Sequence, residues 1–180
     1  MKKTLLILLL VTFSTLVAQD TKINWLSIEE VEALQKKEPR KVLMDVYTTW
    51  CGPCKMMMQN TFTNKDVINY LNKNYYAVKF DAESGKDVTF KGTLYQNPNY
   101  NPNARRKPPH QFSQALGVRS YPTIIYMDED LNIIAPIKGY QTPAQIELYL
   151  KLFAEENYEE IGATQESFSK YTQTFKSTFK

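Results

Sequence analysis

The stretch Val42-Leu43-Met44-Asp45-Val46-Tyr47-Thr48-Thr49-Trp50-Cys51-Gly52-Pro53-Cys54-Lys55 decides how this chain is read. Val42 to Tyr47 is a short apolar run of the kind that forms a buried strand. Cys51 and Cys54 are the only cysteines in 180 residues. Pro53 suits the first turn of a helix, where a missing N–H leaves nothing unpaired. A strand, then C-x-x-C, then a helix is the setting in which this spacing reads as a redox dithiol. Two other readings fit less well. A bridge across two residues closes almost no loop, so as a staple it hardly restricts the unfolded chain. A structural zinc site wants four ligands, and Cys51, Cys54 and the lone His110 supply three at most. No metal and no cofactor beyond the dithiol itself are expected.

Outward from this stretch, the pattern alternates strands and helices. Ser27-Ile28-Glu29-Glu30 is a capping box that opens a helix ending before Pro39. Asn64 caps a helix carrying Val67, Ile68 and Leu71, and a strand follows at 76–80. Residues 84–109 are rich in Asn, Pro, Lys and Arg and read as loop, not sheet or helix. A loop of that length in a compact domain invites a functional explanation. A short helix runs from about His110 to Leu116 and stops at Gly117. Residues 121–127 and 133–137 read as a hairpin across the turn 128–132. Thr142-Pro143-Ala144-Gln145 opens the last domain helix, to about residue 155. In the tail 156–180, Phe168, Tyr171, Phe175 and Phe179 recur at helical spacing.

The hexapeptide Trp50-Cys51-Gly52-Pro53-Cys54-Lys55, behind a strand with Asp45 six residues before Cys51, resembles the thioredoxin family. The resemblance covers roughly residues 22–155. It implies an α/β thioredoxin fold: a central mixed sheet flanked by helices, a long loop insert (about 82–117) before the cis-proline strand, and a C-terminal helical tail. It also implies roles. Cys51 is the nucleophile, partly exposed, and Cys54 the more buried resolving thiol. Asp45 is the base for Cys54, and Lys79 modulates Asp45. Trp50, Gly52, Pro53, Tyr121, Pro122 and Gly139 form the substrate-binding surroundings, with Pro122 after a cis peptide bond and Gly139 leaving room beside the site. Tyr121 departs from the family, which usually carries a smaller aliphatic there. Strand periodicity alone leaves open whether Asp45 faces core or solvent. The segment Thr61-Phe62-Thr63-Asn64-Lys65-Asp66-Val67 is similar to the continuation found in the periplasmic C-terminal domain of the transmembrane disulfide reductant conductor DsbD.

Composition bounds the rest. A hydrophobic share of 43% supports a real core. Met1-Lys2-Lys3 followed by an apolar run to about Val17 reads as a signal peptide over 1–19, too short to span a bilayer comfortably. No cysteine lies near the cut, so a lipid anchor is not expected. The formal charge of +3 falls to +1 without Lys2 and Lys3. That gives no reason to propose nucleic acid, or a membrane contact beyond the leader. The expected location is outside the cytoplasm, in a bacterial periplasm.

The sequence therefore points to an exported thiol–disulfide oxidoreductase that reduces protein disulfides, with a membrane electron donor as the implied partner. Gly52-Pro53 is the dipeptide of reductants in this family. The alternatives are a disulfide oxidant or isomerase, or a partner-binding module built on the insert and the tail. Met56, Met57 and Met58 read as core filler or as a soft rim to the site. Arg105-Arg106-Lys107 reads as a solvated loop or a docking patch, and His110 as a surface or cap residue.

Overall fold

The computed structural model describes residues 21–154 and 158–180. The expected signal peptide and the end of the last domain helix at residue 155 lie outside the described residues. In chain order the elements are β1 (Trp25–Leu26), α1 (Ile28–Gln35), β2 (Lys41–Tyr47), α2 (Gly52–Asn60), α3 (Lys65–Asn74) and β3 (Tyr75–Asp81). They continue with β4 (Val88–Phe90), β5 (Thr93–Tyr95), α4 (Gln111–Ala115), β6 (Thr123–Met127), β7 (Ile133–Lys138), α5 (Pro143–Ala154), α6 (Tyr158–Gly162) and α7 (Gln165–Thr174).

Five strands form one mixed sheet in the order β1-β3-β2-β6-β7. β2 runs parallel to β3 and antiparallel to β6, so it lies at the centre, with neighbours on both sides. Alternation along β2 then divides its side chains between two cores. Val42, Met44 and Val46 pack with Ile28 and Val31 of α1 and with Phe112 of α4. Leu43 packs on the other face with Met57 of α2, Leu71 of α3, and Ile146 and Leu150 of α5. Asp45 has the parity of Leu43 and therefore belongs to the face covered by α2.

Local chemistry sets the helix starts. Ser27 and Glu30 exchange side-chain-to-backbone hydrogen bonds in a complete capping box. The Asn64 side chain accepts from the N–H groups of Asp66 and Val67. Gln145 and Thr142 cap α5 reciprocally.

The structure corrects two expectations at this level and adds one strand. Residues 84–109 are not all loop: β4 and β5 pair antiparallel around Lys91-Gly92, both of which adopt positive φ (49° and 74°). Such a turn matches the twist of a hairpin. The hairpin docks on α1, whose Glu29 and Glu32 accept the N–H groups of Thr89 and Lys91. β1, two residues long, extends the sheet beyond β3 and carries too little pattern to be read from sequence. The tail is only partly a helical stripe. α7 ends at Thr174, and Phe179 reaches Tyr70 of α3 (ring centroids 5.9 Å) from the segment beyond the helix.

Candidate active site

Cys51 is the N-cap of α2. Its Sγ is bonded to that of Cys54 and accepts the Cys54 N–H at 3.1 Å. The Cys51 N–H is in turn fixed on the Thr48 carbonyl at 3.2 Å. Gly52 and Pro53 form the first helical positions between the two sulfurs. A sulfur at a helix N-terminus sits where free N–H groups and the helix dipole favour negative charge, which is what a thiolate nucleophile needs. The expected contrast between an exposed Cys51 and a buried Cys54 is absent. Both are 3% exposed, because in the disulfide state Cys51 Sγ is tied inward to its partner.

Asp45 is 1% exposed, and neither carboxylate oxygen has a hydrogen-bond partner. Burial without partners disfavours the charged form, and its pKa rises to about 7, desolvation outweighing the lowering field of Lys79. Lys79 stands opposite Asp45 in the β2–β3 register. Its ammonium lies over the Tyr47 ring, 4.6 Å from the centroid. It acts on Asp45 as a neighbouring charge, not as a hydrogen-bonded partner.

The Tyr121–Pro122 peptide bond is cis. The Gly139 N–H donates to the Pro122 carbonyl at 2.8 Å, joining β7 to the turn that enters β6. Gly139 is expected from the sequence to leave room beside the site. A Cβ there would meet nothing within 4 Å, and the requirement is its φ of +88°.

Trp50 gathers residues the sequence did not group. Its Nε1–H donates to Glu83 Oε1 at 2.9 Å. Its ring meets Tyr121 edge-on, with centroids 6.0 Å apart, and the Arg106 guanidinium lies 4.4 Å from its centroid. Glu83, 6% exposed, accepts the Lys107 N–H on its other oxygen. Glu83 was missed because only its long-range partners, not its neighbours in sequence, mark it. Burial raises the Tyr121 hydroxyl pKa, with the Glu83 and Asp81 charges adding to the effect and a hydrogen bond with Ser113 opposing it.

His110 is a cap but not a surface residue. It is fully buried, its Nδ1 accepts the Phe112 N–H at 3.0 Å, and its Nε2 faces the Lys86 carbonyl at 3.0 Å. That pattern suits the neutral ring with the proton on Nε2. Met57 is core, Met58 packs against the same cluster, and Met56 is 49% exposed. Among the described residues no group of three or more His, Cys, Asp and Glu could hold a metal ion.

A disulfide at a helix N-terminus, a buried unpartnered carboxylate on the sheet face that helix covers, and a cis-proline turn entering the adjacent strand define a thioredoxin-fold dithiol protein. The chain belongs to the thioredoxin-like domain family, whose model matches residues 28–154. Among curated relatives, the thiol-disulfide oxidoreductase ResA of Bacillus thuringiensis subsp. konkukian is 32% identical over 110 residues, 61% of this chain and 61% of the relative. The thiol:disulfide interchange protein DsbD of Pectobacterium atrosepticum is 25% identical over 130 residues, 71% of this chain and 19% of that protein. The match thus spans less than two thirds of either relative. Two solved structures share the fold. A thioredoxin from Thermus thermophilus has TM-score 0.57 and 13% identity, covering 78% of this chain and 93% of the other. A putative disulphide-isomerase from Bacteroides thetaiotaomicron has TM-score 0.52 and 24% identity, covering 77% and 98%.

Proposed function

We propose that this protein is an exported thiol–disulfide oxidoreductase that reduces disulfides in protein substrates through Cys51 and Cys54. The observation that carries the reading is the dithiol at the start of α2 on the same sheet face as Asp45, whose carboxyl is held near neutrality. In the reduced protein the Cys51 thiolate attacks one sulfur of the substrate disulfide. A mixed disulfide forms and the substrate's other sulfur leaves as a thiolate. Asp45 takes the Cys54 proton, directly or through water, and the Cys54 thiolate attacks Cys51 Sγ. The Cys51–Cys54 disulfide closes and the second substrate sulfur is released. Two electrons have moved to the substrate, so an external reductant must reopen the disulfide. A membrane electron donor suits a protein carrying the leader that the sequence implies.

Relatives named thiol-disulfide oxidoreductase and thiol:disulfide interchange protein support exchange chemistry. The Gly52-Pro53 dipeptide supports the reducing direction. The deciding measurement is the reduction potential of the Cys51–Cys54 pair in dithiothreitol buffers with thiol trapping. A value near that of thioredoxin, about −270 mV, is expected. A value near about −120 mV, as for the oxidant DsbA, would replace the reductase assignment with an oxidant one. Export is tested separately, by fractionating cells that express the full chain: retention of the uncleaved chain in the cytoplasm overturns it.

A further inference from the structure

The insert carries a charge distribution that the rest of the chain does not. Residues 84–109 hold five basic residues (Lys86, Lys91, Arg105, Arg106, Lys107) and one acid, Asp87, a net +4. The chain without Lys2 and Lys3 totals +1, so everything outside residues 84–109, Glu83 included, carries −3. Part of this basic patch is brought to the dithiol by identifiable contacts. Trp50 is covalently next to Cys51, and Arg106 stacks over its ring. Tyr121, covalently next to Pro122, meets the same ring edge-on.

Arg106 is held there. Glu83 accepts both the Trp50 indole N–H and the Lys107 backbone N–H, so one buried carboxylate fixes the ring and the chain beside Arg106. The guanidinium carbon lies over the Trp50 ring, a contact with the ring face and not a hydrogen bond. Arg106 is exposed, and none of its side-chain donors has a hydrogen-bond or ion-pair partner among the described residues. The chemistry that completes such a group is a carboxylate, which matches the guanidinium fork.

We propose that Arg106 is a specificity-determining residue of the dithiol site, recognising a carboxylate on the polypeptide that flanks the substrate disulfide. The proposal rests on the exchange reading above and adds the substrate class: disulfides in acidic sequence surroundings. Trp50 and Glu83 are positioning residues for Arg106. Arg105 adds to the same field, and Lys86 and Lys91 belong to the hairpin side of the insert.

The test uses the full chain, reduced beforehand, and three disulfides. Two are peptides that differ only in having Glu or Lys beside the cysteines; the third is bis(2-hydroxyethyl) disulfide, which is uncharged. Each peptide rate is divided by the rate with the uncharged disulfide, which removes any change in the dithiol itself. The Glu peptide is expected to be favoured over the Lys peptide by about fivefold, the size of an exposed but oriented charge pair. The preference should shrink at high salt. Arg106→Glu should reverse it, and Arg106→Lys should keep part of it. Lys91→Glu, at the hairpin turn, changes the net charge equally and should leave the ratio near that of the unmodified chain. An unchanged ratio in Arg106→Glu overturns the proposal, as does an equal shift in Lys91→Glu, which would make the effect one of overall charge. Failure of the unmodified chain to exchange even with the uncharged disulfide would instead sink the exchange reading, and this inference with it.

Discussion

Asp45 has a folded state that prefers it neutral. The folded chain keeps its proton up to about pH 7, whereas an ordinary carboxyl loses it near 3.8. Between those values the folded state binds the extra proton, so stability falls as pH rises. The contribution is fully present below about pH 4 and lost above 7. Asp45→Asn removes the penalty, and we expect the variant to be more stable than the parent at pH 8 by up to about 4 kcal/mol. The two should converge below pH 4, as read from urea midpoints across pH. The same substitution removes the base proposed for Cys54. Release of the mixed disulfide should slow, and its inflection near pH 7 should disappear. A variant with the parent's pH profile would show that Asp45 is only a buried acid. Sequence periodicity could place Asp45 on a strand but not choose its face. What decides is that β2 has a neighbouring strand on each side and α2 over Asp45, which are long-range facts.

At the level of elements, the redox turn was readable because its signals are local: an apolar run, two cysteines two residues apart, and a proline at the start of a helix. The insert was not. Asn97-Pro98-Asn99-Tyr100-Asn101-Pro102-Asn103 dominates its composition and hides Val88-Thr89-Phe90-Lys91-Gly92-Thr93-Leu94-Tyr95, whose two short strands gain support from Glu29 and Glu32 of α1. A two-stranded ribbon alone is marginal in water, so its formation depends on that docking. His110 ties the other end. Its ring bridges Lys86 and the start of α4 and packs edge-on against Phe80. Burial lowers its pKa, against the opposing effects of the Lys86 carbonyl and the Asp87 charge. A depressed histidine contributes stability that is present above the ordinary value of 6.5 and lost as pH falls through the folded one. Protonation would also set an Nδ1–H against the Phe112 N–H. Amides of 84–117 should therefore lose protection on going from pH 7.5 to 5, after correction for intrinsic exchange, while those of β2 and β6 keep theirs. His110→Gln should flatten the difference. Equal loss throughout the sheet would mean that the insert does not open as a unit.

Across the whole molecule, the chain's end is fastened to the domain by one buried acid. Glu147 of α5 accepts the N–H groups of Thr178 and Phe179 and the hydroxyls of Ser177 and Thr178, and pairs with Lys151 at 2.6 Å. The Lys180 N–H reaches Asp66, and the Asn64 amide donates to the Lys180 carbonyl, so α3 holds the last residue. Phe168, Tyr171 and Phe179 close over the cluster that contains Leu43 and Tyr126. No local pattern announces this, since Glu147 lies 30 or more residues before the tail groups it binds. Burial alone would raise the Glu147 pKa, but Lys151, Ser177, Thr178 and Phe179 outweigh it and bring it to about 2. A depressed acid stabilises above the ordinary carboxyl range, and that stability is lost as pH falls toward 2. The tail should thus stay attached at every physiological pH. Glu147→Ala leaves several part-buried donors without their acceptor, and we expect it to cost about 1–3 kcal/mol. It should also make the chain beyond Thr174 cleavable by a nonspecific protease under native conditions. Glu147→Gln keeps the acceptor oxygen but not the charge, and should fall between the two. The tail lies against α3, α5 and the end of β7, and its anchor Glu147 is on α5 whereas the dithiol opens α2, so a chain ending at Thr174 should lose stability yet keep its Cys51–Cys54 potential. A shifted potential in that truncated chain would show that the tail reaches the dithiol through α2, and that the two ends of the molecule act as one site.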